Sequence, residues 1–127
     1  MKEENVRIEL ASADVRGEII DVYTDGKKVR IVHTFPGYRR GGYIFPDTEK
    51  RAMILDGSVT FHLVKPENPE DEKVRSLLIG DRITIPKGTA YRENTRKGTW
   101  FAGISIGDEK WKVYEPYRNK VVKSFEK

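Results

Sequence analysis

Gly80-Asp81-Arg82-Ile83-Thr84-Ile85-Pro86-Lys87-Gly88-Thr89-Ala90-Tyr91 is the stretch whose reading decides the fold. Gly80-Asp81 is a turn signal. Residues 82–85 alternate polar and apolar, the period of a strand with one buried face. Pro86 presets φ at a turn position and Gly88 tolerates positive φ, so the chain reverses there and starts a new strand. One short strand between two tight turns belongs to an all-β architecture.

The flanking sequence repeats this grammar. Upstream, residues 74–79 read as a strand and residues 65–73, with two prolines and many charges, as a loop. Residues 51–55 and 58–64 read as strands joined by a tight Asp56-Gly57 turn. Residues 18–23 and 28–35 form a hairpin around Asp25-Gly26, a pair suited to the positive φ of a type I′ turn. In the returning strand Val29, Ile31, His33 and Phe35 share one face, and Lys28, Arg30, Val32 and Thr34 the other. Downstream, residues 99–106 place Trp100, Ala102, Ile104 and Ile106 on one parity. Residues 111–114 read as a last strand and residues 119–125 as a short helix. Residues 9–16 lack a clean period and read as a lead-in strand or loop. Eight or more short strands with regular turns and almost no helix predict a sandwich or barrel.

Composition narrows the function classes. With 127 residues the chain is expected to form a single domain over residues 1–127. It has no cysteine, which excludes disulfides, thiol nucleophiles and cysteine metal sites. The net charge of +4 comes from 24 basic and 20 acidic residues mixed along the chain. That field favours anionic small molecules, but no basic stripe with interleaved aromatics argues for nucleic acid. No apolar run approaches membrane-spanning length, and residues 1–5 lack the apolar core of a signal peptide, so a cytoplasmic location is expected.

The spacing of the opening stretch resembles the second motif of the cupin superfamily. That motif runs Gly, five residues, Pro, one residue, Gly, two residues, a metal-binding His, three residues, then Asn. Gly80, Pro86 and Gly88 match; Tyr91 stands at the His position and Thr95 at the Asn position. The first cupin motif runs Gly, five residues, His-x-His, three or four residues, Glu, six residues, Gly. Here Gly37 precedes Tyr43-Ile44-Phe45, Gly57 closes the motif, and Lys50, with Glu49 beside it, takes the acidic position. The resemblance implies a cupin double-stranded β-helix, a jelly-roll barrel, and a homodimer pairing sheets across a two-fold axis. It also implies that the usual metal ligands are replaced. Phe45 cannot coordinate, Lys50 repels a cation, and tyrosine stays protonated near neutral pH. No metal and no cofactor are therefore expected.

Arg40-Gly41-Gly42-Tyr43-Ile44-Phe45 is similar to the Arg-Gly-x-His-Ala-His segment of nucleotide-sugar 3,4-ketoisomerases, which are metal-free cupins. Arg40 and Gly41 match, whereas Tyr43 and Phe45 stand where that family has its acid–base histidines. Three readings follow. The first is a metal-free cupin binding a small polar or anionic ligand, such as a carbohydrate or nucleotide sugar, in the barrel. Tyr43, Phe45, Lys50, Tyr91, His33 and Arg40 are its expected ligand-binding residues. The second is a sugar isomerase or epimerase using His33 and a tyrosine. The third is a structural or regulatory protein whose barrel is filled by its aromatics. Whether Glu49 or Lys50 faces inward stays open at this point. Trp100 and Trp111 are expected in the core or a dimer interface.

Overall fold

The structure, a computed structural model, describes residues 5–118. Ten strands follow in order: β1 (Val6–Asp14), β2 (Gly17–Thr24), β3 (Lys27–Thr34), β4 (Arg39–Ile44), β5 (Thr48–Val64), β6 (Lys73–Leu78), β7 (Arg82–Ile85), β8 (Ala90–Asn94), β9 (Thr99–Gly107) and β10 (Lys112–Val113). A single 3-10 turn, Glu115–Tyr117, closes the described chain. The helix expected at residues 119–125 lies outside the described residues. All pairings are antiparallel. One sheet runs β1-β2-β3-β9-β5-β7 and the other β10-β4-β8-β5-β6. Strand β5 belongs to both, which makes the two sheets one jelly-roll barrel. Among the described residues no helix is long and apolar enough to cross a membrane.

The hairpin turn lies where the sequence puts it, with Asp25 at φ 49° and Gly26 at φ 76°. Asp56-Gly57 does not turn. The chain runs straight on as one strand of 17 residues. Its register against β9 shifts between Ile54 and Asp56, which is a β-bulge. Gly57 sits there at φ +77°, and a Cβ on it would lie 2.1 Å from the Gly98 carbonyl oxygen. Gly57 allows a bulge that lets two lengths of strand join two sheets. The Gly80-Asp81 turn docks on the same place. Gly80 N–H donates to the Ile54 carbonyl at 2.8 Å, and Ile54 N–H donates to the Asp81 carbonyl at 2.9 Å. Thr95, at the Asn position of the motif, is 2% exposed and donates its hydroxyl to the Ser58 carbonyl at 2.6 Å.

The main core lies between the sheets: Val32, Ile54, Val59, Phe61, Leu63, Leu77, Ile83, Ile85 and Phe101. Phe61 and Phe101 meet edge to face with centroids 6.0 Å apart. A second cluster of Ile44, Val64, Ala90 and Tyr117 fixes the 3-10 turn to the outside of the smaller sheet. The larger sheet is different. Cross-strand pairs align Leu10, Ile20, Ile31, Ala102 and Met53 into one row over five strands, and Ile8, Val22 and Val29 into the next. This outer face is apolar and, among the described residues, uncovered, with Ile8 at 69% and Leu10 at 65% exposure.

The two motif glycines should respond unequally to substitution. A Cβ on Gly88 meets nothing within 4 Å, so Gly88→Ala carries only the positive-φ penalty, about 1–2 kcal/mol. Gly57→Ala must also move backbone and should cost at least ~3 kcal/mol. Urea unfolding of both variants measures the difference. Equal losses would show that the bulge is not pressed against Gly98.

Candidate functional site

The barrel holds a cavity of about 490 Å³. Its walls are apolar where Phe45, Phe61, Ile85 and Phe101 line it, and it reaches solvent beside Trp111, which is 58% exposed. Trp111 is thus a rim residue packed edge to face on Tyr43, with centroids 4.9 Å apart, rather than a core residue.

Tyr43, Phe45, Lys50, Tyr91 and Arg40 all line this cavity. The glycine pair before Tyr43 places it. Strand β4 shifts register between Gly41 and Tyr43, and a Cβ on Gly41 would meet the Tyr91 carbonyl at 2.8 Å. The bulge brings Tyr43 directly opposite Tyr91. Burial holds the Tyr91 phenol far above the ordinary tyrosine range, with Glu93 adding to the effect, so it is a neutral hydroxyl.

Lys50, not Glu49, faces inward. Its Nζ lies 4.0 Å from the Phe45 ring centroid and donates to Ser105 Oγ at 3.0 Å. Glu49 instead pairs with Arg51 at 2.6 Å. Burial pulls the Lys50 pKa down, and Glu109 partly offsets this from 3.8 Å. Lys28 reaches the other Glu109 oxygen at 3.2 Å. Burial opposes the Glu109 charge, yet Lys28, Ser105 and Lys50 together keep its carboxyl below the usual range. Arg30, next along β3, grips Asp21 through two hydrogen bonds of 2.8 and 3.0 Å, which hold the Asp21 carboxyl low.

A second polar group lies elsewhere on the wall. Arg40 is 7% exposed and donates through Nε to Thr34 Oγ1 at 2.8 Å and through Nη2 to the His33 carbonyl at 3.0 Å. Glu93 stands opposite it across the β4–β8 ladder and is 4% exposed. Burial pushes its carboxyl up to about 7, against the charges of Arg40 and Arg16.

His33 is not in the cavity. Its strand neighbour Val32 pairs with Phe101 in the core, so His33 points out of the barrel with Trp100. The two rings stack with centroids 4.0 Å apart, and Nδ1 lies 3.1 Å from Glu18 Oε1. The inward parity of β3 is that of Lys28, Arg30 and Val32. The apolar appearance of Val29 and Ile31 pointed to the wrong face, because the outer face of this sheet is apolar too. Lys28, Arg30, Glu93 and Glu109 were accordingly missed. Glu93 had one legible signal, since it lies two residues beyond Tyr91 on the same strand.

No protein-family model and no curated protein sequence matches the chain. Solved structures match it in fold. CapF, a capsular polysaccharide assembling protein from Staphylococcus aureus, superposes with a TM-score of 0.68 at 11% identity, over 82% of this chain and 31% of that one. Bacillus subtilis oxalate decarboxylase gives 0.67 at 12% identity, over 83% and 29%. The Drosophila melanogaster CENP-C cupin domain gives 0.61 at 20% identity, over 77% and 76%. The chain thus spans about a third of CapF and of oxalate decarboxylase. It has the cupin fold, as the two sequence motifs implied.

The cupin metal does not fit this site. The four ligand positions hold Tyr43, Phe45, Lys50 and Tyr91: a ring, an ammonium and two phenols, one of them kept neutral by burial. Among the described residues no three His, Cys, Asp or Glu side chains gather as a ligand set. Purified protein is expected to carry well under one transition-metal ion per chain. Elemental analysis giving one tightly held ion, released on unfolding, would contradict this assignment.

Proposed function

We propose that the chain binds a small anionic, hydroxylated molecule in its barrel without a metal, a carbohydrate or nucleotide sugar being the class suggested by the likeness around Arg40-Gly41. The observation that carries this reading is the gathering of Lys28, Arg30 and Lys50 on one part of a cavity wall that also presents aromatic rings and two tyrosine hydroxyls. The volume of about 490 Å³ suits a ligand site and argues against a barrel filled by its own aromatics. An isomerase built on His33 loses its base, because that ring stacks on Trp100 outside the barrel.

The ligand's anion would pair with Lys50 and Lys28, and its hydroxyls would bond to the Tyr43 and Tyr91 phenols. Hydrogen bonds to charged groups contribute more than neutral ones. Lys50→Met keeps the stem and removes the charge. It should weaken an anionic ligand by roughly 1.5–3 kcal/mol while leaving the fold intact. A thermal-shift screen against sugar nucleotides, sugar phosphates and small acids, repeated on Lys50→Met, provides the test. Failure of every compound to stabilise the parent would remove the proposal's support, and equal binding to the variant would exclude Lys50.

We also propose that the chain is a homodimer paired through the outer face of its larger sheet. The rows of Leu10, Ile20, Ile31, Ala102 and Met53 and of Ile8, Val22 and Val29 form one contiguous apolar surface, with Ile8, Leu10 and Met53 exposed, and a contiguous exposed apolar patch marks an interaction site. A second copy offers the same flat apolar rows. Sedimentation equilibrium should give a dimer that Ile8→Glu with Leu10→Glu converts to monomer. A monomeric parent would exclude the pairing.

A further inference from the structure

We propose that Glu93 and Arg40 form a second, proton-linked subsite of the cavity, in which the Glu93 carboxyl, in its acid form, donates a hydrogen bond to an uncharged or anionic oxygen of the ligand. This rests on the cavity being a ligand site and extends it to the ligand's other end. The geometry carries the argument. Glu93 lines the cavity and is 4% exposed, and its buried Oε1 has no hydrogen-bond partner among the described residues. A buried polar atom left unmatched is costly, and a bound ligand oxygen would relieve it. Arg40, its partner across the β4–β8 ladder, does not relieve it. Its Nε and Nη2 are spent on Thr34 and the His33 carbonyl.

The charged and titratable groups around Glu93 are few. Arg40 faces it from β4, Arg16 from the β1–β2 connection, and Tyr91 lies two residues away on β8. Its partner on β5 is Phe61, which is apolar. Burial keeps the Tyr91 phenol neutral, and the titrating group on this wall is Glu93. Burial already raises its pKa to about 7. An arriving anion would raise it further, because a negative neighbour disfavours the carboxylate. Tyr91 feels the charges of both Glu93 and Glu109 and lines the same cavity. The chemical class that satisfies both ends is a polyhydroxylated acid. Its anionic group goes to Lys28 and Lys50, and a carbonyl or hydroxyl oxygen accepts from Glu93.

Two probes separate the two ends, and neither titrates between pH 6 and 8. Sulfate offers an anion alone; gluconate offers a carboxylate with hydroxyls. Calorimetric titration is run at pH 6 and pH 8 on the parent and on Glu93→Gln, which keeps an N–H donor but cannot ionise. Between these values a group of pKa about 7 passes from about nine-tenths to about one-tenth protonated, so gluconate should bind the parent up to about tenfold more tightly at pH 6. Glu93→Gln should bind it almost equally at both. Persistence of the pH dependence in Glu93→Gln would assign the proton elsewhere and overturn the subsite. A carbon-13 titration of the side-chain carboxyls, run without ligand, keeps the two proposals distinguishable. A Glu93 resonance moving near pH 7 is expected. One moving near the ordinary glutamate value overturns the subsite even if both probes bind. If neither probe binds the parent at either pH, the cavity reading fails and the subsite falls with it, whatever the resonance does.

Discussion

The structure depends on one contact between two stretches of backbone: Gly57, just past the bulge between Ile54 and Asp56, lies against the carbonyl of Gly98, where a side chain of any size would collide. The bulge adds one residue to β5 and thereby changes its parity. Before it the inward positions are even, Lys50, Ala52 and Ile54; after it they are odd, Val59, Phe61 and Leu63. A strand without that extra residue would turn one of the two sets to solvent. The parity change lets one strand supply core residues to both sheets, and it also turns Lys50 toward the barrel. Thr99 and Thr95 add hydroxyl bonds to the Asp56 and Ser58 carbonyls on either side. The Gly80-Asp81 turn completes the clasp at Ile54.

Electrostatics underlie the chemical preference proposed for the cavity. Lys28 and Lys50 share a single carboxylate, Glu109, and Arg30 is already matched by Asp21. The shared carboxylate cannot neutralise both ammonium groups, and burial disfavours the Lys50 charge further. A partly desolvated cation is stabilised by an anion more than an exposed one is, because the local dielectric is lower. The other polar group behaves oppositely. Arg40 is committed to the backbone and to Thr34, and burial raises the Glu93 carboxyl to about 7, so its proton is exchanged near neutral pH. In the proposed reading one wall attracts charge while another offers a neutral hydrogen bond.

Most of the fold was legible in the sequence, because turn chemistry and strand alternation are local. The Asp25-Gly26 hairpin and the Gly80 to Gly88 motif needed only neighbouring residues. Asp56-Gly57 misled because positive φ at glycine serves a turn and a bulge equally well, and only the partner strand distinguishes them. The site was half legible. Tyr43, Phe45, Lys50 and Tyr91 followed from motif spacing. His33 was misplaced because both faces of the larger sheet are apolar, which removes the contrast that parity arguments need. Lys28, Arg30 and Glu109 come from strands and loops distant in sequence, and Glu109 meets Lys28 and Lys50 only through the barrel's closure.

On the proposed reading an anion settles in the barrel interior rather than on the general basic surface. A nitrogen-15 amide correlation spectrum recorded while inorganic diphosphate is added tests it most directly. The account predicts saturable shifts gathered on residues around Lys28, Arg30, Lys50, Ser105 and Glu109, at low millimolar diphosphate or below. Weak, unsaturated shifts spread over exposed cations such as Lys65, Lys87 and Lys97, with the cavity residues unmoved, would contradict it.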